Sequence, residues 1–323
     1  MSDHLRTPSP PPSLAAPAVE KSALVVLKFG SSVLRSEADL PRIADEIKRH
    51  VDQGSRVVAV VSAMGESTEL LIRRARALGH QFGDLASADP ITDTPAAPSA
   101  IMESTTECAT ESTAEATTGS TAPAEAAFAA LLATGEATSA ALVGLALDNV
   151  GVAFNVLCAG RVGPFTRGPQ LDARPYAFDT AAVRRALARR PVAILPGFVG
   201  RDSEGHFSLL GRGGSDLTAL FVAHSLQADR CCLLKDVDGI YEHDPALCAR
   251  HRPRRYEWLD WNGALRLDDC ILQQKAAQFA YRHGVAFEVG ACGGPPGTLV
   301  GAAATRMATA VGHLAGLEGR LAS

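Results

Sequence analysis

The sequence predicts an α/β sandwich in which helices cover both faces of a mostly parallel β-sheet. Short apolar runs alternate along the chain with segments of helical periodicity, a pattern typical of parallel-sheet folds. Several of these runs are apolar at every position, as expected for strands that are buried on both faces. Glycine-bearing turns follow strands or precede helices, which is where ligands bind in open α/β sheets.

The individual elements follow from these patterns in chain order. The runs ALVVLK and RVVAVVS predict buried strands, and the Ala- and Leu-rich stretch after position 125 predicts a long helix. The predicted strands lie at 23–28, 56–62, 153–158, 192–195, 230–234 and 285–289. The predicted helices lie at 40–53, 69–78, 126–149, 180–189, 217–226 and in a segment that ends at 283.

Two segments of biased composition stand apart from this pattern. Residues 1–21 are rich in Pro, Ser and Ala and predict a disordered tail. Residues 81–124 are dominated by Thr, Ala, Ser and Glu and have too few large apolar residues to offset the entropy of ordering. We interpret them as a low-complexity insertion, disordered rather than a lid. The folded domain is predicted to span 22–301, with 302–323 as a C-terminal extension.

The composition disfavours several classes of function. A net charge of −4 provides no basic face for nucleic acid or for a membrane surface. No long apolar run predicts a membrane span, and the N-terminus lacks the apolar core of a secretory signal. The seven cysteines have no metal-ligand spacing and predict reduced thiols in a cytoplasmic protein. Neither a Walker A pattern nor a dinucleotide-binding GxGxxG is present.

The first candidate site segment is KFGSS at 28–32, directly after the first strand. Gly30 allows close approach of the backbone to a ligand, and turn amides such as that of Ser31 can point at phosphate oxygens. Lys28 could neutralise charge on a transferring phosphoryl group. A lysine beside a glycine turn is also an ordinary surface feature, so this segment alone is not decisive.

Two further segments carry polar groups beside helices. In VSAMGEST at 61–68, Ser62 and Thr68 could hold a carboxylate or could only cap a helix. In TGE at 134–136, Glu136 could receive the ammonium group of an amino acid or could complement the dipole near a helix start. The sequence leaves both alternatives open.

The strongest signal is GRGGSDLT at 211–218, in which three glycines precede a predicted helix. Glycines such as Gly213 and Gly214 free backbone amides for an anion at the helix N-terminus. Arg212 can clamp a carboxylate through two hydrogen bonds, and Asp216, beside Ser215, can orient reacting groups. A purely structural turn would not need Arg and Asp at these positions.

A last segment, KDVDGIYEHDP at 235–245, follows the strand at 230–234. Its acidic residues Asp236, Asp238 and Asp244 could hold Mg-ATP or a ribose, and Tyr241 could flank an adenine. The alternative is a plain turn built from Asp and Gly that ends at a proline.

The order of these motifs resembles the amino-acid kinase superfamily and, within it, the aspartate kinases. KFGSS, VVSAMGEST, TGE, GFVGRDSEG, LGRGGSDLTA, KDVDGIYEHDP and PPGTLV occur in this order within 23–301. The resemblance implies a three-layer α/β/α sandwich with an amino-acid-binding half at about 22–200 and an ATP-binding half at about 201–301. It also implies transfer of the γ-phosphoryl group of ATP, with Mg²⁺, to the β-carboxylate of L-aspartate, the first step toward lysine, threonine and methionine.

The resemblance further implies roles for the matching residues. Lys28 would stabilise the phosphoryl group in flight and Asp216 would organise the site. Arg212 would hold the substrate α-carboxylate and Glu136 its ammonium group. The substrate-binding set is Ser62, Thr68, Glu136, Arg212 and Ser215. The ATP-binding set is Lys28, Phe29, Gly30, Ser31, Gly213, Gly214, Lys235, Asp236, Asp238, Tyr241, Asp244 and Lys275.

Several positions depart from the family pattern. Ser31 stands at the second glycine of KFGG, Lys235 at a threonine and Ala246 at an arginine. In the stretch 268–275, Cys270 replaces a lysine that contacts the nucleotide. We hypothesise that Lys235 supplies the missing positive charge, which an unchanged KM for ATP in Lys235→Ala would contradict.

Three alternatives to an aspartate kinase stay open because the nucleotide half departs from the pattern. They are a kinase for another acidic amino acid, a non-catalytic subunit with the kinase fold, and an oxyanion store on the same fold.

Only about 22 residues follow Gly301, so paired regulatory ACT domains are not expected. A homo-oligomer and functional pairing with a separate homoserine dehydrogenase are expectations by analogy.

Overall fold

The strands fall into a large sheet and a small one. The computed structural model of the chain describes residues 22–80, 82, 122–245, 253–267 and 271–308. Its strands are β1 (Leu24–Phe29), β2 (Arg56–Val61), β3 (Phe154–Val156), β4 (Phe165–Arg167), β5 (Arg174–Ala177), β6 (Val192–Pro196), β7 (Val199–Arg201), β8 (Phe207–Leu209), β9 (Arg230–Lys235), β10 (Tyr256–Asp260), β11 (Phe287–Ala291), β12 (Thr298–Gly301) and β13 (Arg306–Met307).

The helices connect these strands and cover the large sheet. In the same part of the chain they are α1 (Leu40–Asp52), α2 (Ser67–Ala77), α3 (Ala122–Asn149), α4 (Ala159–Val162), α5 (Thr180–Arg189), α6 (Gly214–Leu226), α7 (Trp261–Leu265) and α8 (Gln274–His283). A single 3₁₀ turn at Glu37–Asp39 precedes α1.

The large sheet has the order β13-β10-β12-β11-β9-β1-β2-β6-β3. Its central strands β9, β1, β2 and β6 are parallel, whereas β12 runs antiparallel to β11 and β13 to β10. Parallel strands place their carboxyl ends at one edge, and the registers of β1 with β2 and β9 align Phe29 with Val61 and Leu234. The turns that follow β1, β2 and β9 therefore lie next to one another at this edge.

The core lies on both faces of the large sheet, as the fully apolar strands predict. Val25, Leu27 and Phe29 of β1 are buried in a cluster that includes side chains of α1 and α3. Val26 belongs to the cluster formed with α5, α6 and α8. Because side chains alternate along a strand, Lys28 faces α6, as Val26 does. The three-layer α/β/α architecture is confirmed.

Some boundaries and elements differ from the sequence prediction. Residues 122–124, assigned to the insertion, are helical, and β13 shows that the folded domain extends beyond 301 to include 306–307. The small sheet β5-β4-β7-β8 was not predicted. Its strands are three or four residues long and mix polar with apolar residues, so they carry little periodic signal. The predicted tail at 1–21 and most of 81–124 lie outside the described residues.

Helix α3 also has a property that the sequence analysis did not predict. The segment Pro123–Asn149 is long and apolar enough to cross a membrane by length and composition, and half of its apolar stretch is buried within the molecule. Val143 and Leu147 pack in the core cluster that covers the large sheet. A buried core helix passes the same test, so this helix is weak evidence for a membrane span.

Candidate active site

The floor of the candidate site is a buried carboxylate held between two lysines. Asp216 lies in the first turn of α6, and Lys28 Nζ and Lys235 Nζ lie 2.6 Å and 2.8 Å from its two carboxylate oxygens. Lys235 donates a hydrogen bond to Oδ2, whereas the approach of Lys28 to Oδ1 is an ion pair without hydrogen-bond alignment. Two cations and one anion leave this floor with a net positive charge, suited to an anionic ligand.

Burial and charge compete in setting the pKa values of this cluster. Burial alone would raise the pKa of the Asp216 carboxyl, but the charges of Lys28 and Lys235 and the hydrogen bond from Lys235 outweigh it and lower the pKa to about 2. Burial, together with repulsion from Lys235, lowers the pKa of the Lys28 ammonium below its usual range, although Asp216 opposes this shift. The carboxylate is therefore ionised at neutral pH and cannot serve as a proton donor there.

The turn after β1 is shaped around the Lys28 ammonium. The carbonyl of Gly30 accepts hydrogen bonds from the amides of Val33 and Leu34 at 3.0 Å and 2.9 Å. A β-carbon added to Gly30 would lie 2.6 Å from Lys28 Nζ, so glycine leaves the space that the ammonium occupies. The side chain of Phe29 is fully buried in the core, so only its backbone is available to a ligand at this edge.

The turn after β2 is tied to the turn after β1. Ser62 donates its amide to the carbonyl of Phe29 at 3.0 Å, and Gly65 donates to Leu34 at 3.0 Å. Helix α2 has Glu66 at its N-cap and no side-chain cap hydrogen bond. Ser62 and Thr68 therefore do not cap this helix, and the capping alternative is wrong.

Glu136 lies near the middle of the 28-residue α3 and not near its start. The helix-dipole alternative is therefore wrong, because the dipole acts on the first and last turns. The carboxyl is 3% exposed, and its Oε2 has no hydrogen-bond partner among the described residues. Burial raises its pKa to about 8, against a hydrogen bond from the amide of Ala63 and the charge of Lys28. Gly135 allows α3 this close approach, since an added β-carbon would lie 3.3 Å from that of Ala63.

The glycine loop before α6 presents Arg212 at the cleft. Gly211 and Gly213 have φ angles of 71° and 74°, which favour glycine over other residues. The amide of Gly214 donates to the carbonyl of Gly211 at 2.9 Å and closes the turn. In the described part of the chain, no hydrogen bond or ion pair engages the exposed guanidinium of Arg212.

These turns enclose a cleft of about 640 Å³. The predicted site residues that line it are Lys28, Ser31, Ser62, Thr68, Glu136, Arg212, Gly213, Gly214, Ser215, Asp216 and Lys235. The lining residues that the sequence analysis did not name as site residues are Ala63, Gly65, Glu69, Phe198, Gly211 and Gln273. Most of these six belong to the quoted motifs, but Gln273 had no signal of its own.

Other predicted ATP-binding residues do not line this cleft. Asp236 and Asp244 are exposed beyond the end of β9. The Tyr241 hydroxyl donates to Asp238 Oδ1 at 2.7 Å, and Arg255 donates to the Asp238 carbonyl at 2.8 Å. Contact of this segment with a nucleotide stays a prediction.

Of three further residues from the sequence analysis, the structure describes only Lys275, which does not line the cleft. The ammonium of Lys275 contacts Asp172 and donates to the carbonyl of Leu210 at 2.9 Å, behind the glycine loop. Ala246 and Cys270 lie outside the described residues, so the effect of their departures from the family pattern stays open.

The described residues contain no cluster of three or more His, Cys, Asp or Glu side chains that could hold a metal ion. Asp216, the carboxylate on the cleft floor, is already paired with two lysines. A divalent cation at this site would therefore depend largely on oxygens brought by a ligand, as Mg²⁺ does when it accompanies phosphates.

Comparison with known proteins identifies relatives that share this architecture. Residues 23–274 match the profile of the amino acid kinase family. The chain is 29% identical over 293 residues to an aspartokinase of Thermus thermophilus, covering 90% of this chain and 62% of that protein. It is 30% identical over 270 residues to an aspartate kinase of Pseudomonas putida, covering 83% of this chain and 55% of that protein. The chain thus spans less than two thirds of the length of these relatives.

Solved structures show the same fold. An aspartate kinase from Synechocystis superposes with a TM-score of 0.62 at 26% identity, covering 87% of this chain and 40% of that one. E. coli aspartokinase III in complex with aspartate and ADP superposes with a TM-score of 0.61 at 21% identity, covering 87% of this chain and 65% of that one.

Proposed function

Because the chain belongs to the amino acid kinase family, we propose that it transfers the γ-phosphoryl group of ATP to the β-carboxylate of L-aspartate and forms 4-phospho-L-aspartate. The observation that carries this proposal is the charge pattern of the cleft. A buried carboxyl with an open oxygen and a guanidinium line the same cleft as a positively charged floor, and neither the open oxygen nor the guanidinium has a partner among the described residues. Relatives named aspartokinase support the choice of acceptor.

The amino acid would be held by its two charged backbone groups. Its ammonium group would pair with Glu136, whose buried Oε2 has no partner among the described residues. Its α-carboxylate would pair with Arg212, since a guanidinium can donate two parallel hydrogen bonds to a carboxylate. With both ends held, the side-chain carboxylate would extend toward the lysines of the floor.

Transfer itself would need positioning and charge rather than a protein nucleophile. The substrate carboxylate oxygen attacks the γ-phosphorus as the bond from that phosphorus to the bridging oxygen of ADP breaks, which leaves an acyl phosphate and ADP. Lys28 and Lys235, held by Asp216, would stabilise the negative charge on the transferring group. Mg²⁺ would arrive with ATP and neutralise phosphate charge, as it generally does in kinases.

The proposal is tested by trapping the acyl phosphate. Wild-type protein, ATP, Mg²⁺ and L-aspartate are incubated with hydroxylamine, and hydroxamate and ADP are measured together. We expect hydroxamate from L-aspartate and a loss of roughly 100-fold or more in Lys28→Met, since a group that stabilises transition-state charge contributes about that much. Lys48→Met removes a lysine that pairs with Asp52 on the solvent-exposed side of α1; it is the matched control and should keep wild-type activity.

Two outcomes would overturn the choice of acceptor or of reaction. Hydroxamate from L-glutamate but not from L-aspartate would indicate a kinase for another acidic amino acid. Binding of ATP without hydroxamate from either amino acid would indicate a non-catalytic subunit with the kinase fold.

A further inference from the structure

The glycine loop that presents Arg212 and leads to Asp216 is held from behind by a partly buried ion pair. Lys275, in the first turn of α8, has a side chain that is only 9% exposed and contacts Asp172 in the turn between β4 and β5. The same ammonium donates a hydrogen bond of 2.9 Å to the carbonyl of Leu210, the residue that precedes the loop. The pair joins residues that are 103 positions apart.

Two glycines of this loop leave space for the ion pair and for a neighbouring side chain. A β-carbon added to Gly211 would overlap Asp172 Oδ1 and lie 3.0 Å from Lys275 Nζ. A β-carbon on Gly213 would overlap the side chain of Gln273, the N-cap residue of α8, two positions before Lys275. Two of the loop glycines are therefore required by the packing of segment 273–275 and of Asp172, in addition to any contact with a ligand.

Lys275 is not placed as expected for a residue that contacts a nucleotide in the cleft. Lys275 is not among the residues that line the cleft, and its ammonium already has a carboxylate and a carbonyl as acceptors. Turning it toward a phosphate would leave the Leu210 carbonyl without this donor. A buried polar group that loses its partner destabilises the surrounding structure.

We propose that Lys275 and Asp172 act as positioning residues: their ion pair sets the position of the 211–214 loop and, through it, of Arg212 and Asp216. This proposal rests on the proposed function for its kinetic readout, because Arg212 is assigned there to the substrate carboxylate. The pair would also link the two predicted halves of the domain, since Asp172 lies in the predicted amino-acid-binding half and Lys275 in the predicted ATP-binding half.

The kinetic test compares Lys275→Met, Lys275→Arg and Asp172→Asn with wild type and with the control Lys48→Met. We expect Lys275→Met to raise the KM for aspartate roughly tenfold, the scale of one charge-assisted hydrogen bond, with the KM for ATP within about twofold of wild type. Lys275→Arg should recover part of this loss, because it restores a charged donor. A raised KM for ATP with an unchanged KM for aspartate would overturn the proposal and make Lys275 a nucleotide ligand.

A second readout does not depend on activity. Hydrogen exchange followed by mass spectrometry on a peptide covering 208–217 reports the amides of Gly214 and Leu217, which bond to carbonyls within the loop at 2.9 Å and 3.0 Å. We expect faster exchange of this peptide in Lys275→Met and in Asp172→Asn, and no change in Lys48→Met. Unchanged exchange in both variants would overturn the proposal, even if the wild type proved inactive with aspartate. Asp172→Asn, at a side chain that is 39% exposed, serves as the test if Lys275→Met does not fold.

Discussion

Replacing Glu136 with glutamine tests the most unusual carboxyl in the cleft. In the folded protein without substrate its pKa is raised to about 8, against 4.5 for an ordinary glutamate. The form that pairs with an ammonium group is the ionised one. At pH 6 a group with a pKa of 8 is roughly 1% ionised, and at pH 8 it is half ionised. The apparent affinity for aspartate scales with the fraction of the protein in which Glu136 is ionised. We therefore expect the KM for aspartate to fall roughly 50-fold from pH 6 to pH 8.

The same shift predicts how the stability of the protein depends on pH. Between pH 4.5 and 8 the folded state keeps a proton on Glu136 that the unfolded chain has lost, so stability falls as pH rises. The penalty is under about 1 kcal/mol at pH 5 and reaches about 4 kcal/mol at pH 8. Glutamine has nearly the same shape and no charge, so Glu136→Gln should raise Tm at pH 8 by several degrees more than at pH 5.

The assay measures the KM for aspartate and for ATP at pH 6, 7 and 8, with Tm at pH 5 and 8, in wild type and in Glu136→Gln. The variant should have a high KM for aspartate with little pH dependence, and an unchanged KM for ATP. The reasoning is refuted if the wild-type KM for aspartate is flat across this range. It is also refuted if the variant keeps the wild-type slope, because another group would then control the titration.

Three further substitutions test the floor of the cleft. Lys235→Met should lower kcat or raise the KM for ATP about tenfold while the KM for aspartate stays constant, measured by the hydroxamate assay; an effect on aspartate alone would contradict its assignment to the phosphoryl group. Gly30→Ala places a methyl group where the Lys28 ammonium lies and should reduce kcat about 100-fold with little change in Tm, measured by the same assay and by thermal melting. Asp216→Asn leaves the buried Lys28 and the partly buried Lys235 without this counterion and should destabilise the fold by about 3–5 kcal/mol, as chemical denaturation at pH 7 would measure; an unchanged midpoint would show that these ion pairs contribute little to stability.

The floor of the site could be predicted from the sequence because it depends on strand ends. Lys28 and Lys235 each stand at the carboxyl end of a strand, and parallel strands bring those ends together whatever lies between them in the chain. Asp216 follows a glycine loop that leads directly into α6, so its place at the same edge follows from the motif. The local sequence pattern and the sheet topology were therefore sufficient to predict that these three residues lie together.

The environment of Glu136 could not be predicted in the same way. The predicted helix at 126–149 already placed Glu136 well beyond the first turn, and α3, which begins at Ala122, confirms that interior position. The burial of Glu136 depends on how closely α3 packs against the turn after β2. Gly135 permits this close packing. The contact of Lys275 with Asp172 likewise joins two short polar segments, and no periodic signal connects them.

The two buried carboxyls of the cleft explain why a zwitterionic acceptor fits better than a phosphate or a nucleotide. Asp216 has a cation at each oxygen and a pKa of about 2, whereas Glu136 has a pKa of about 8 and an oxygen without a partner in the part of the chain that the structure describes. A purely anionic acceptor would leave Glu136 without a cation and, once it ionises, would face its repulsion. An amino acid supplies the missing cation to Glu136 and a carboxylate to Arg212. The cleft is therefore complementary in charge to a ligand that carries both signs, with a second anion directed to the lysines.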